Sequence, residues 1–86
     1  MILHLGGDIV VFMRDIIAIF DYNTAISSDD TKEFLSIAKE EGFVRVIWED
    51  TPKSFVLTEI DKKSVVYLSP ISSTTLMKRS SFISTL

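Results

Sequence analysis

The chain has no cysteine and a single histidine among its 86 residues. Without thiols there is no disulfide framework and no thiolate metal site. One histidine leaves carboxylates to complete a metal centre, and none falls at the spacing of an H-E-x-x-H helix or an EF-hand loop. His4 sits in an apolar run beside a Gly-Gly turn, where a strand-edge histidine is the ordinary outcome. No apolar run approaches the ~18 residues of a membrane span. No basic segment precedes an apolar one at the N-terminus, so the expectation is a cytoplasmic protein without a signal peptide. Nucleophile motifs are missing as well. There is no G-x-S-x-G elbow to give a Ser-His-Asp set its geometry. Gly6, Gly7 and Asp8 lack the lysine and the following helix of a Walker loop, and they do not match the dinucleotide fingerprint. Glu40 with Glu41, and Glu49 with Asp50, fall at a helix end and a turn, where solvated charge is the default. No catalytic constellation survives. The expectation is a non-enzymatic protein with no cofactor.

What is present is apolar bulk in a short chain. Hydrophobic residues make up 47% of the sequence and the mean hydropathy is +0.30. A chain of this length forms one domain and buries only roughly 60–65% of its unfolded surface. Some apolar surface is therefore expected to lie against another subunit. The formal charge of −3 is unevenly placed. Residues 1–42 hold eight acids against Arg14, Lys32 and Lys39, whereas residues 43–86 hold six bases against four acids. A polyanion would be met by the second half, and one acidic protomer would grip it weakly.

Turn residues and periodicity divide the chain. Residues 2–5 and 8–13 read as a tight hairpin around Gly6 and Gly7. Residues 16–20 are short and β-branched, hence a buried strand. Residues 30–41 carry helix signals: Asp30 as cap with Glu33 in a capping-box position, and Phe34, Ile37 and Ala38 as an apolar stripe flanked by Leu35. Gly42 stands where a left-handed cap belongs, with Phe43 folding back on the last turn. Residues 44–49, 54–58 and 64–69 read as three strands of an antiparallel meander. A short helix over 72–79, with Leu76 and Met77 packing inward, closes a domain spanning 1–79. Residues 80–86 are expected to form a flexible tail. The fold class is α+β.

The stretch from Tyr67 to Arg79 is the most informative. A strand ends at Pro70 within a cluster of five hydroxyl side chains (Ser69, Ser72, Ser73, Thr74 and Thr75); an apolar pair follows, then Lys78 and Arg79. Such a corner has unpaired N–H groups at a helix start and can hold an anion. Ser and Thr are also simply good caps, and a well-capped closing helix is the plainer reading. Most aromatics fall at core periodicity. Phe12 and Trp48 border polar residues at strand ends and, if exposed, would be contact points for another subunit. Two functional readings remain: a nucleic-acid-binding module that gains charge density by oligomerising, or an oligomeric scaffold or accessory interaction module that never touches DNA.

Four blocks carry a resemblance: Leu3-His4-Leu5-Gly6-Gly7-Asp8, Asp15-Ile16-Ile17-Ala18-Ile19, Lys53-Ser54-Phe55-Val56-Leu57-Thr58, and Val66-Tyr67-Leu68-Ser69-Pro70-Ile71-Ser72-Ser73-Thr74-Thr75-Leu76. In these the chain resembles the RemA/RemB family of small bacterial extracellular-matrix (biofilm) regulators. The resemblance implies a LytTR-like fold. It also implies a homo-oligomeric, ring-like DNA-binding regulator of matrix gene expression, in which many weak phosphate contacts add up. Carried onto this chain, it implies DNA contacts at Lys53 and Arg14, supported by Lys78 and Arg79. The family's arginine run before the Lys53 strand is replaced here by Glu49-Asp50-Thr51-Pro52.

Overall fold

The computed structural model describes residues 1–84. Strands β1 (Ile2–Gly6) and β2 (Ile9–Phe12) pair antiparallel, with Leu3 opposite Val11 and Ile2 opposite Phe12. Gly6 (φ +120°) and Gly7 (φ +53°) make the turn in backbone conformations that a side chain would resist. Leu3, Leu5 and Val11 point inward and are buried, while Ile2, His4, Val10 and Phe12 line the outer face.

A 3₁₀ turn at Met13–Asp15 leads into β3 (Ile16–Asp21). The short helix α1 (Tyr22–Ala25) follows, then α2 (Asp29–Glu40), β4 (Val44–Val46), β5 (Ser54–Ile60), β6 (Lys63–Ser69) and α3 (Ser73–Ser84). These strands form a second, four-stranded sheet in the order β3-β5-β6-β4. β5 runs antiparallel to both β3 and β6. Asp61 (φ 51°) and Lys62 (φ 67°) make the two-residue turn between β5 and β6, the left-handed pair that such hairpins require.

The expected meander is corrected at β4, which pairs parallel to β6, with Val44 opposite Val66 and Val46 opposite Leu68. The cause is α2. It carries the chain across the sheet, so β4 enters at the far edge in the direction of β3 and the β5–β6 hairpin fills the gap between them. β4 also ends at Val46, three residues short of the expected end. The architecture is α+β with mostly antiparallel pairing.

The four-stranded sheet is covered on both faces. On one face the hairpin and α3 bury Leu3, Leu5, Val11 and Leu76 against Val56, flanked by Ile19 and Tyr67. On the other, Leu35 of α2 packs with Phe55, Val66 and Leu68. Two hydroxyls tie the layers together. Ser69 is fully buried; its Oγ donates to the Leu5 carbonyl (2.6 Å) and accepts from the Ile71 N–H (3.0 Å). Ser54 Oγ donates to the Ile71 carbonyl (2.7 Å).

Both main helices differ in detail from expectation. Ser28, not Asp30, caps α2, its Oγ accepting from Thr31 N–H. Packing against Phe55, Val66 and Leu68 turns Leu35 inward, with Ala38 buried as well, and leaves Phe34 and Ile37 on an exposed flank. Gly42 is left-handed (φ +79°), and the Phe43 N–H reaches the Ala38 carbonyl (2.8 Å), as expected of a terminating glycine. Ser72 caps α3, accepting from the Thr75 N–H (3.2 Å). Leu76 is buried but Met77 is exposed, so only one of the expected pair packs inward. The helix continues to Ser84, beyond the expected end at Arg79. The last two residues of the expected tail, 85 and 86, lie outside the described residues.

Candidate nucleic-acid interface

Lys53 stands at the start of β5, fixed on both sides by its backbone. Its N–H donates to the Ser69 carbonyl (2.9 Å) and its own carbonyl accepts from the Tyr22 N–H (3.0 Å). The side chain is exposed. Tyr22 in turn forms one wall of a groove of about 230 Å³, which Lys32, Ser36 and Lys39 line from α2. Lys32 and Lys39 are seven residues apart, two turns along one side of a helix. Ile26, Leu35 and Leu68 make the remainder of the lining, and no carboxylate takes part in it. Tyr22 thus links the Lys53 backbone to the groove that Lys32 and Lys39 line; Lys53 itself is not part of the lining.

Asp21 lies beside Lys53, since it pairs with Ser54 in the β3–β5 ladder. It caps α1, accepting from the Thr24 N–H (2.9 Å). That backbone hydrogen bond, with a smaller part from the Thr24 side chain, holds its carboxyl below the usual carboxylate range. Asp21 therefore stays ionised near neutrality and limits the positive field beside Lys53.

The other expected contacts lie elsewhere. Arg14 precedes β3, at the opposite end of the ladder from Lys53: Ile16 faces Thr58 and Asp21 faces Ser54. The six-residue β3 separates the two by roughly 17 Å at 3.3 Å per residue. The Arg14 guanidinium lies over the Phe12 ring, 4.8 Å from its centroid, and Nε is 3.9 Å from the Asp15 carboxylate. This is the one ion pair among the described residues. Lys78 and Arg79 are exposed on α3, which packs on the hairpin side of the sheet, across from Lys32 and Lys39. The fold brings none of the other three expected residues, Arg14, Lys78 and Arg79, together with Lys53. Lys32 and Lys39, which the sequence reading did not single out, line the groove beside Tyr22. Their i, i+7 spacing with Ser36 between them was the available signal.

Two other residues are settled by contacts. His4 lies on the outer face of the hairpin, its Nε2 donating to the Gly7 carbonyl (2.7 Å), a structural bond across the turn. Trp48 is exposed, its indole N–H donating to Asp50 (2.9 Å). Phe12 is exposed too, so both aromatics singled out for contact lie at the surface.

A family model described as RemA-like, extracellular matrix regulatory protein A-like, matches residues 2–80. Extracellular matrix regulatory protein B of Bacillus subtilis (strain 168) is 43% identical over 83 residues, which cover 96% of this chain and 94% of that protein.

Proposed function

The chain belongs to the RemA-like family of extracellular matrix regulatory proteins, and from that premise we propose that it acts as an oligomeric DNA-binding regulator of matrix and biofilm genes. The observation that carries the DNA reading is the carboxylate-free groove of Lys32, Ser36 and Lys39, joined to Lys53 through Tyr22. Cations so placed contact phosphates rather than base edges, so they position a duplex without reading its sequence. Lys78 and Arg79 add exposed charge on the other side of the sheet. Arg14 stands outside this set, at the far end of the ladder.

One protomer with a net charge of −3 offers too few contacts for firm binding. Assembly multiplies them. Copies held in fixed geometry bind one duplex with an effective concentration that a lone module lacks. A duplex bent along such an assembly contributes selectivity through its deformability.

The test is binding to promoter DNA across a salt series, with light scattering to report size. The parent protein is expected to assemble and to bind with a steep salt dependence. Lys53→Glu, and separately Lys32→Glu with Lys39→Glu, should weaken binding about equally on unrelated DNA sequences. For every phosphate that a variant no longer neutralises, the log–log salt slope should flatten by about 0.9. Variants that bind like the parent would refute the site. The separation of Arg14 from Lys53 and the acidity of the chain favour a second reading, an oligomeric scaffold that meets a protein partner. An assembled protein with no affinity for DNA at moderate salt is the result expected of that reading.

A further inference from the structure

A duplex would use only the charge of the α2 groove and leave its interior empty. Buried Leu35 and Leu68, with half-buried Ile26, form the floor, and half-buried Tyr22 forms a wall. Phosphates on the outside of a duplex meet cations at a surface and need no apolar recess. The bases of an intact duplex stay stacked on one another, so this floor has nothing to receive from them. The rim is polar. Lys32 and Lys39 stand about 10.5 Å apart along α2, at seven residues of 1.5 Å rise, with Ser36 between them. All three are exposed, and neither lysine is in an ion pair among the described residues. The lining contains no carboxylate.

We propose that this groove binds a mononucleotide, with the base against Tyr22 over the apolar floor and the phosphate held by Lys32, Ser36 and Lys39, and that the bound nucleotide competes with DNA for the two lysines. A small-molecule site combines an apolar lining with a few convergent polar groups, and both parts are present here. Inorganic phosphate would leave the floor bare. A wholly apolar molecule would leave two cations at its edge without a partner. A flat ring joined to a phosphate answers both. The flexible four-carbon stem of each lysine lets both ammonium groups turn to one phosphate beside Ser36, and the Tyr22 ring offers a face on which a base can stack. The volume sets the size. At about 230 Å³ the groove falls below the roughly 300–1,000 Å³ of sites for drug-sized ligands, which suits one base with its phosphate at the rim and not a longer chain. Nucleotide binding stands without DNA; the competition rests on the proposed DNA contacts. A phosphate seated between Lys32 and Lys39 neutralises both and withdraws them from a duplex, so the ligand acts as a release signal.

The experiment titrates the full chain by calorimetry with uridine 5′-monophosphate, and in parallel with uridine, ribose 5-phosphate and inorganic phosphate. The nucleotide should saturate with a Kd below about 1 mM, at least about tenfold tighter than any of its fragments. The double variant Lys32→Gln with Lys39→Gln, both at exposed positions, should lose at least about tenfold in affinity. Tyr22→Leu, which keeps an apolar wall and removes the stacking face, should lose about 2- to 10-fold. Tyr22 also packs against the core; should that variant fail to fold, amide shifts of the parent carry its arm. The nucleotide should then move the Tyr22, Ser36 and Leu68 signals, and shifts confined to other residues would refute the site. Phosphate binding as tightly as the nucleotide would overturn the proposal, since the recess would then be idle. Uridine binding as tightly would overturn it too, since the lysines would be idle, and so would titrations that never saturate. In a second arm at constant ionic strength, the nucleotide should displace promoter DNA from the parent; DNA that stays bound while the groove is full would overturn the competition. A parent that binds the nucleotide and no DNA would remove the DNA reading and uphold the nucleotide site.

Discussion

Ser69→Ala isolates what holds the hairpin to the rest of the molecule. The hairpin shares no strand pairing with the four-stranded sheet, so its docking depends on side chains and on one buried hydroxyl. Ser69 Oγ both donates and accepts, and its residue is fully buried. Removing it orphans the Leu5 carbonyl and the Ile71 N–H at once. A buried polar group left without a partner costs about 1–3 kcal/mol. The Ile71 N–H is the less buried of the two, which places the expected loss at about 2–3 kcal/mol. That is a large share of a total stability that is roughly 4–13 kcal/mol for a chain of this length. Urea unfolding at fixed protomer concentration measures it. With a slope near 1 kcal/mol/M, the midpoint should fall by about 2–3 M. Ser54→Ala is the internal control. It removes one donor from the Ile71 carbonyl and should cost about 1 kcal/mol. If Ser69→Ala costs no more than Ser54→Ala, the hydroxyl does not anchor the hairpin and the reasoning fails.

Three further outcomes test the fold at separate points. Gly6→Ala should cost about 2–4 kcal/mol in the same titration, because its Cβ would lie 2.9 Å from Pro70 Cγ at φ +120°; Gly42→Ala, whose Cβ meets open space at φ +79°, should cost only about 1 kcal/mol. Leu76→Ala, at a fully buried position, should lose about 3 kcal/mol, with far-UV circular dichroism as readout. Asp21 contributes helix-cap stability as a carboxylate with a depressed pKa, so that contribution is complete above the ordinary carboxylate range and is lost as pH falls through the lowered folded-state value. The difference in melting temperature between parent and Asp21→Asn should therefore shrink on acidification from neutral pH toward about 3; a difference that stays constant would refute the assignment.

The local elements were legible because their signals are local. Gly6 and Gly7 marked the hairpin, Gly42 ended α2, and β-branched runs gave β3, β5 and β6. What sequence could not supply was the direction of β4. A three-residue strand has no signature of its own, and its parallel pairing follows from where α2 delivers the chain. The α2 cap shows the same limit. Ser28 and Asp30 are both good caps, and four adjacent apolar positions leave open which of them face the sheet; Leu35 and Ala38 do, while Phe34 and Ile37 stay outside the core. The site was legible in its parts and not in its grouping. Arg14 and Lys53 are both exposed cations near β-strand starts, yet antiparallel pairing of β3 with β5 sends them to opposite ends. Lys32 and Lys39 entered the sequence reading only as two of the three bases of residues 1–42. Only the Tyr22–Lys53 hydrogen bond, made between segments thirty-one positions apart, joins them to Lys53.

In the proposed assembly the hairpin would link folding to association. An isolated two-stranded ribbon is marginal in water, so β1 and β2 persist because Leu3, Leu5 and Val11 dock on Val56 and Leu76. The outer face of the same ribbon carries Ile2, Val10 and Phe12. Covering that face with another copy would therefore stabilise the element whose inner face completes the core. Opening the hairpin would expose both faces, and association would oppose the opening. If the chain assembles as proposed, it would gain by this route stability that a short chain's own core is too small to supply. The signature is mass action: the melting temperature of the parent should rise with protomer concentration, while Phe12→Asp should melt at a temperature that concentration does not move. If the two curves rise in parallel, whatever joins the copies lies away from the hairpin.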